Sequence, residues 1–289
     1  TGLNAITSND WSNNICDSYS NNAFTYSLPN QLSDIGYNTY YFHSGHEWFY
    51  NRETIVPSYG FDVVKFQEDL IENGYPDYNE KFDTEMLDFW ETYVTFGEPF
   101  YVNMLTYSMH GAYNQEEFEI HRNQFDAAYP NQSFDSQIEN YMLKLIALDT
   151  MIVNLMDYLD DNGELDNTLF AVYPDHYPYM MKEETYLNHI ELDDDKHEMM
   201  RQNLFIYATN MTGEKVSKPG STKDITPTLL NMIDSDANFD YFVGQDLFSD
   251  RENYILFSDL TITDGANILY LDERYIGNTE KLLDLENAL

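Results

Sequence analysis

The chain has 289 residues, with 51 Asp and Glu against 14 Lys and Arg and a formal net charge of −37. That excess of acid opposes binding to nucleic acid or anionic lipid by general electrostatics, so an anionic ligand must be met by a bound cation or a well-placed Arg. Hydrophobic residues make up 43% and aromatic residues 16%, enough for a packed core, and no apolar run approaches the length that crosses a bilayer, so this piece is expected to be soluble. The one cysteine, Cys16, excludes an internal disulfide framework and a Cys-based zinc site.

The stretch from Thr1 to Thr25 is rich in Asn and Ser and reads as loop; it opens without Met or signal peptide, as a processed or excised piece would. Leu28 to Gly36 carries Pro near a helix start and Gly at its stop, and Tyr37 to His43 follows with β-prone aromatics. A second strand is expected over Phe100 to Ser108. A long amphipathic helix is expected from about Ser133 to Leu159, with Met142, Leu145, Ile146, Leu148, Ile152 and Leu155 on roughly one side and a stop at Asp161-Asn162-Gly163. Strands follow over Thr168 to Tyr173 and Leu204 to Ala208. After Lys218-Pro219-Gly220, Asp224 is expected to cap a short helix through Leu230, with Pro227 in its first turn. From Tyr241 the pattern changes to short strand-like pieces, Tyr254 to Phe257 and Ile268 to Tyr270. The alternation predicts an α/β fold with a predominantly parallel central sheet and helices on both faces over residues 1–240, then a small antiparallel unit over 241–289.

Four of the seven His residues fall just after expected strands: His43 and His46, His110, and His176. Such clustering suits a site built on βα loops, whereas His121, His189 and His197 read as solvated loop residues. Asp175-His176 sets a carboxylate and an imidazole side by side at a strand's carboxyl end, where open α/β sheets bind ligands and where one divalent metal could take both; a surface turn is the alternative. Arg52 sits in the aromatic segment Trp48-Phe49-Tyr50-Asn51-Arg52, and its guanidinium fork suits a phosphoryl oxygen pair, the alternative being a salt bridge to one of many acids. An EF-hand loop built on Gly163 fails, because Tyr158 and Leu169 occupy the two required acidic positions.

Taken in order, several segments carry a resemblance. They are Ser27-Leu28-Pro29 with Gly36-Tyr37, His43 through Arg52, Tyr59-Gly60-Phe61-Asp62, Pro99-Phe100-Tyr101 with His110, Asp175-His176-Tyr177, Asp224-Ile225-Thr226-Pro227-Thr228, and Gly244-Gln245-Asp246-Leu247-Phe248. Together they resemble the extracellular domain of the lipoteichoic acid synthases of Gram-positive bacteria, within the alkaline phosphatase and sulfatase superfamily. Ile15-Cys16-Asp17-Ser18-Tyr19 lacks the Cys-x-Pro-x-Arg pattern of true sulfatases, which disfavours sulfate-ester hydrolysis.

The resemblance implies a phosphotransferase that uses one divalent cation, Mn²⁺ or Mg²⁺, and a Thr nucleophile to pass glycerophosphate from phosphatidylglycerol to a growing polymer. By it, Asp175 and His176 match metal ligands, Arg52 a phosphate clamp, and His110 an active-site His. Tyr177 follows the ligand pair, and Tyr50 stands where the synthases have Trp. Gly45 occupies the place of a family acid, with His46 or Glu47 as substitutes in another register. The family's nucleophilic Thr and a metal-binding Glu fall before the segment that Thr1-Gly2-Leu3 matches, so this chain alone is expected not to turn over. The parent protein is expected to be membrane-anchored at the cell exterior, acting on a phosphatidylglycerol-type lipid or glycerophosphate polymer. The rival expectation is a noncatalytic envelope-binding domain of the same fold.

Overall fold

A computed structural model describes residues 16, 19–77, 79, 82–113, 118–190, 196–257, 261–269 and 275–276. The aromatic run at Asn38–His43 forms β1, the middle strand of a three-stranded parallel sheet ordered β2 (Val63–Lys65), β1, β3 (Phe100–Leu105). Every residue of β1 after Asn38 is buried, as befits a parallel strand covered on both sides. The register pairs Phe42 with Met104 and His43 with Leu105, so the carboxyl ends of β1 and β3 finish side by side.

Along the chain, α1 is Leu28–Asp34, α2 Arg52–Ser58, α3 Gln67–Glu72, α4 Phe82–Glu85, α5 Leu87–Tyr93, α6 Arg122–Ala128 and α7 Ser136–Asp161, and of these α3, α4, α5 and α7 supply the rest of this core. Tyr40 and Phe42 pack with Leu70 of α3, Phe82 of α4, Phe89 and Trp90 of α5, and Leu155 and Leu159 of α7. Each such side chain contributes about 1.5 to 3 kcal/mol by leaving water. The long helix begins three residues later than expected, because Asp135 accepts from the Gln137 amide at 2.8 Å as its N-cap. Its buried ridge runs through Leu143, Ala147, Met151, Leu155 and Leu159 at four-residue spacing, and Leu145, expected on the buried side, is 45% exposed. Apolar residues spread around more than one face, so their pattern could not select the ridge.

The strands expected over 168–173 and 204–208 form as β4 (Phe170–Val172) and β5 (Phe205–Tyr207), but they pair antiparallel with each other as a separate two-stranded sheet. Helix α8 (Glu183–Ile190) and α9 (Lys196–Met199) lie between them in sequence.

Packing divides the chain into two compact units, one of Thr1–Gly36, Ser58–Gly60 and Gly213–Leu289 and one of Tyr37–Pro57 and Phe61–Thr212. The pattern change at Tyr241 falls inside the first. In that unit Ser27 caps α1, and its hydroxyl donates to the Tyr59 carbonyl at 2.5 Å. Helix α10 (Thr222–Met232) is capped by Ser221, not by Asp224; Asp224 is the third helical residue and accepts from the Ser221 amide at 2.7 Å, closing a capping box. Pro227 lies in the interior of α10, so the Lys223 carbonyl receives no amide from it. Gly244 packs onto that carbonyl, where an added Cβ would lie 2.1 Å from the oxygen. The Gln245 amide donates to Asp224 Oδ1 at 2.8 Å and the Leu247 amide to Thr228 Oγ1 at 3.0 Å. Strands β6 (Ile255–Leu256), β7 (Ile262–Thr263), β8 (Ile268–Leu269) and β9 (Tyr275–Ile276) form the expected antiparallel sheet, although Tyr270 lies outside the described residues.

Candidate functional site

Within the second unit, the loops that leave the carboxyl ends of β1 and β3 carry most of the singled-out residues. His43 ends β1 and is 1% exposed, and its Nδ1 lies 2.6 Å from the Leu105 carbonyl. A carbonyl only accepts, so Nδ1 bears the proton and Nε2 presents a lone pair. That Nε2 is buried and has no hydrogen-bond partner among the described residues. Burial, followed by the nearby Arg52 guanidinium, pushes the His43 pKa down to about 4, against the opposing pull of the Leu105 carbonyl. Gly45 explains itself here: a Cβ at that position would stand 2.4 Å from His43 Nε2, so the chain can pass the ring only without a side chain.

The backbone then turns sharply, with Tyr50 at φ 58° and Asn51 at φ 53°, both in the left-handed region that non-glycine residues rarely occupy. This turn leaves Trp48, Phe49 and Tyr50 exposed and brings the Arg52 guanidinium over the Phe49 and Tyr50 rings, at 5.2 and 5.9 Å from their centroids. Arg52 also donates to the His46 carbonyl at 3.4 Å, and no carboxylate among the described residues pairs with it. His46 is held by Glu68, whose Oε1 lies 2.7 Å from its Nδ1. The Glu47 carboxyl titrates above the usual carboxylate range because of burial and the neighbouring acids, Glu68 first among them.

The second loop brings Tyr107 and His110 together, their rings stacked at 5.7 Å and 4°. His110 Nδ1 lies 2.8 Å from the Gly111 carbonyl, so it too presents Nε2. His110 meets the His176 ring edge-on at 6.2 Å, and His176, with Nδ1 on the Tyr177 carbonyl at 2.8 Å, directs Nε2 toward Asp175 Oδ1 at 3.5 Å. Tyr179 packs on His176 at 4.8 Å and Tyr177 stands 6.3 Å from Tyr179. On the other side, Tyr107 meets the His43 ring edge-on at 6.4 Å, and Arg52 lies near enough to His43 to act on its charge, so the Arg52 group neighbours the Asp175–His176 group.

For a divalent cation, the donor chemistry of Asp175 and His176 fits: a carboxylate oxygen and an imidazole lone pair lie close enough to share one ion. Among the described residues no cluster of three His, Cys, Asp or Glu surrounds a common point, so the pair supplies part of a coordination sphere. Of the other histidines, His121 bonds Gln124 on an exposed turn, His197 is buried and not the solvated loop residue expected, and the His189 side chain lies outside the described residues.

Sequence reasoning passed over three residues that shape this site: Tyr107, Asp83 and Lys144. Asp83 and Lys144 carried no spacing signal; the charge of Lys144 between Leu143 and Leu145 could have marked it, whereas Asp83 sits among other charged residues and nothing local singles it out.

Comparison with known proteins places the chain in a family. The chain is 26% identical over 240 residues to lipoteichoic acid synthase 2 of Bacillus subtilis, covering 80% of this chain and 36% of that protein. It is 23% identical over 239 residues to the lipoteichoic acid synthase of Staphylococcus saprophyticus, covering 78% of this chain and 35% of the relative, so it spans about a third of these proteins' length. Among solved structures it resembles the lipoteichoic acid synthase LtaP from Listeria monocytogenes, with TM-score 0.75, 17% identity and coverage of 94% of this chain and 72% of that one. A protein of the alkaline phosphatase superfamily from Vibrio parahaemolyticus follows, with TM-score 0.63, 17% identity and coverage of 92% and 66%. These likenesses establish an alkaline phosphatase-like fold. The family model described as Sulfatase matches residues 1–235, most of the length, and the chain therefore belongs to the sulfatase family, with its curated relatives among the lipoteichoic acid synthases.

Proposed function

We propose that this domain binds glycerophosphate and serves a phosphoglycerol transferase of the lipoteichoic acid synthase kind, acting at the cell exterior on a phosphatidylglycerol-type lipid or glycerophosphate polymer. The observation that carries the reading is Arg52, a guanidinium with no carboxylate partner among the described residues in a chain of net charge −37, set in an aromatic collar and joined through His43 and Tyr107 to Asp175 and His176. An anion approaching such a chain is repelled unless a fixed cation receives it, and Arg52 can offer two parallel N–H donors to phosphoryl oxygens.

Asp175 and His176 would hold one Mn²⁺ or Mg²⁺, which when bound supplies charge neutralisation at the phosphoryl group and lowers the pKa of a coordinated hydroxyl. His110, with its proton on Nδ1, takes part through Nε2 as acceptor when neutral and as donor when protonated. Tyr50 and Tyr177 border the ligand, and the Tyr50 ring offers an apolar face to the glycerol carbons. Ser44 and Ser108 are buried and donate to Asp83, which leaves them no role as nucleophiles. Catalysis in such a site is positioning plus electrostatics, which is what these residues provide. The similarity to lipoteichoic acid synthases supports glycerophosphate as the ligand class.

Calorimetric titration with glycerol 1-phosphate in the presence of Mn²⁺ tests the reading. The expected result is a loss of about tenfold or more in affinity for Arg52→Ala, with Arg52→Lys recovering part of it. Equal affinity for the wild type and Arg52→Ala would remove Arg52 from the site.

A further inference from the structure

We propose that Asp83 is a positioning residue whose carboxylate, set at the carboxyl ends of β1 and β3, fixes the two loops that carry Arg52 and His110. Asp83 is 2% exposed, at the start of α4. Its Oδ1 accepts from Ser44 Oγ at 2.5 Å and from the Tyr107 amide at 2.8 Å. Its Oδ2 accepts from the Ser108 amide at 2.7 Å and from the Ser108 hydroxyl. Ser44 directly follows His43 in the first loop, while Tyr107 and Ser108 open the second, so one carboxylate holds both.

A carboxylate withdrawn from water is tolerated only when donors replace its hydration, and here four donors do so, every one of them in a loop of the candidate site. The second loop is tied from its other end as well. Lys144, 3% exposed on α7, donates to the His110 carbonyl at 2.8 Å, and the Tyr113 hydroxyl donates to the Met109 carbonyl at 3.2 Å. Residues 107 to 110 thus each have a backbone polar group fixed, and the stacked Tyr107 and His110 rings inherit that order. Charge-assisted bonds of this kind are the strong ones, and a misplacement of about 1 Å in a positioned group costs on the order of 100-fold in rate. Asp83 touches none of the groups assigned to ligand or metal; it acts through the loops, which separates it from Arg52, His110, Asp175 and His176.

That these loops bind glycerophosphate rests on the preceding reading, whereas the fixing of the loops does not, and the experiment keeps the two apart. Amide hydrogen exchange and the ¹⁵N signals of the His110 ring are measured in the full chain, for the wild type, Asp83→Asn and the double variant Ser44→Ala, Ser108→Ala. Asn keeps the shape but loses the charge and turns an NH₂ toward donors. Exchange at the Tyr107 and Ser108 amides is expected to accelerate by about 100-fold in Asp83→Asn and about tenfold in the double variant. The His110 ring is expected to lose its single Nδ1–H tautomer, while the Tyr40 to Phe42 and Val102 to Met104 amides keep their protection. Glycerol 1-phosphate affinity falls about tenfold alongside. Unchanged exchange at residues 107 and 108 with an unchanged His110 signature overturns the proposal. If Asp83→Asn does not fold, the double variant decides: local acceleration supports the proposal, and loss of protection throughout β1 and β3, or none at all, overturns it. If the local changes occur but the wild type binds no glycerol 1-phosphate, the glycerophosphate reading fails and the positioning stands.

Discussion

Each compact unit is organised by a buried aspartate, and the two differ in what they hold. Asp224, in the first unit, accepts from the Ser221 amide, the Gln245 amide at 2.8 Å and the Asn253 side chain at 3.2 Å, so it joins the start of α10 to the Gly244–Leu247 turn. None of those partners is a candidate binding group. Asp83, in the second unit, accepts from Ser44, Tyr107 and Ser108, neighbours of His43 and His110. The chemistry is shared; of the two, Asp83 is the one whose partners adjoin candidate binding side chains. A motif that stands out in sequence can thus hold a helix start and a turn, as Asp224 to Thr228 does, while a residue in no motif ties the loops of the candidate site.

The sharpest way to break this distinction is to remove each carboxylate. Asp83→Ala and Asp224→Ala should each cost about 3 to 5 kcal/mol in urea unfolding, because several buried donors lose their acceptor at once. Of the two, only Asp83→Ala should also weaken glycerol 1-phosphate binding by the folded protein; equal loss in both would erase the difference.

Next in size is the acid sensitivity of the second unit. Unfolded His43 binds its proton near pH 6.5 and folded His43 only near pH 4, so the unfolded state holds more protons between those values and stability falls as pH drops through that window. Between pH 7 and 4.5 this one group should remove about 2 to 3 kcal/mol. Comparing the pH dependence of the wild type with that of His43→Gln isolates the effect, and parallel curves would contradict it.

A smaller effect is expected from Gly45→Ala. The new methyl meets the anchored His43 ring, with a cost of about 1 to 3 kcal/mol and a weaker phosphate site, because β1's end must shift. The smallest is Arg122→Ala on the surface, where Glu119 and Glu139 pair with the guanidinium at 2.7 and 3.2 Å; it should change stability by under about 1 kcal/mol and binding not at all. Thermal unfolding of the two variants ranks them.

Much of the fold was legible because its signals are local. The aromatic run of β1, the Gly stop after α1 and the Asp161-Asn162-Gly163 stop of α7 each follow from a few adjacent residues, whereas the buried face of α7 did not. The pairing of β4 with β5 was not legible, since short apolar strands carry no mark of their partner or direction. In the site, His110 and His176 stood out as rare residue types after expected strands, Asp175 as the neighbour of His176 and Arg52 as a rare cation in an aromatic segment; ring contacts run from His43 through Tyr107 and His110 to His176, and Arg52 lies near His43. Asp83 did not stand out among 51 acids, because burial distinguishes it and burial arises only once α4 packs. Gly45, which by the resemblance stands at the place of a family acid, has a steric reason of its own in the His43 ring beside it.

The central claim is that Arg52 and the Asp175–His176 pair serve one bound glycerophosphate. Its most direct test is the affinity of the chain for glycerol 1-phosphate with and without Mn²⁺, in the wild type and in Asp175→Ala. Because coupling between two ligands is reciprocal, a shared site predicts that Mn²⁺ tightens glycerol 1-phosphate binding about tenfold or more in the wild type. In Asp175→Ala the metal-free affinity should persist and the Mn²⁺ gain should vanish. The same Mn²⁺ gain in both proteins, or none in the wild type, would contradict the account.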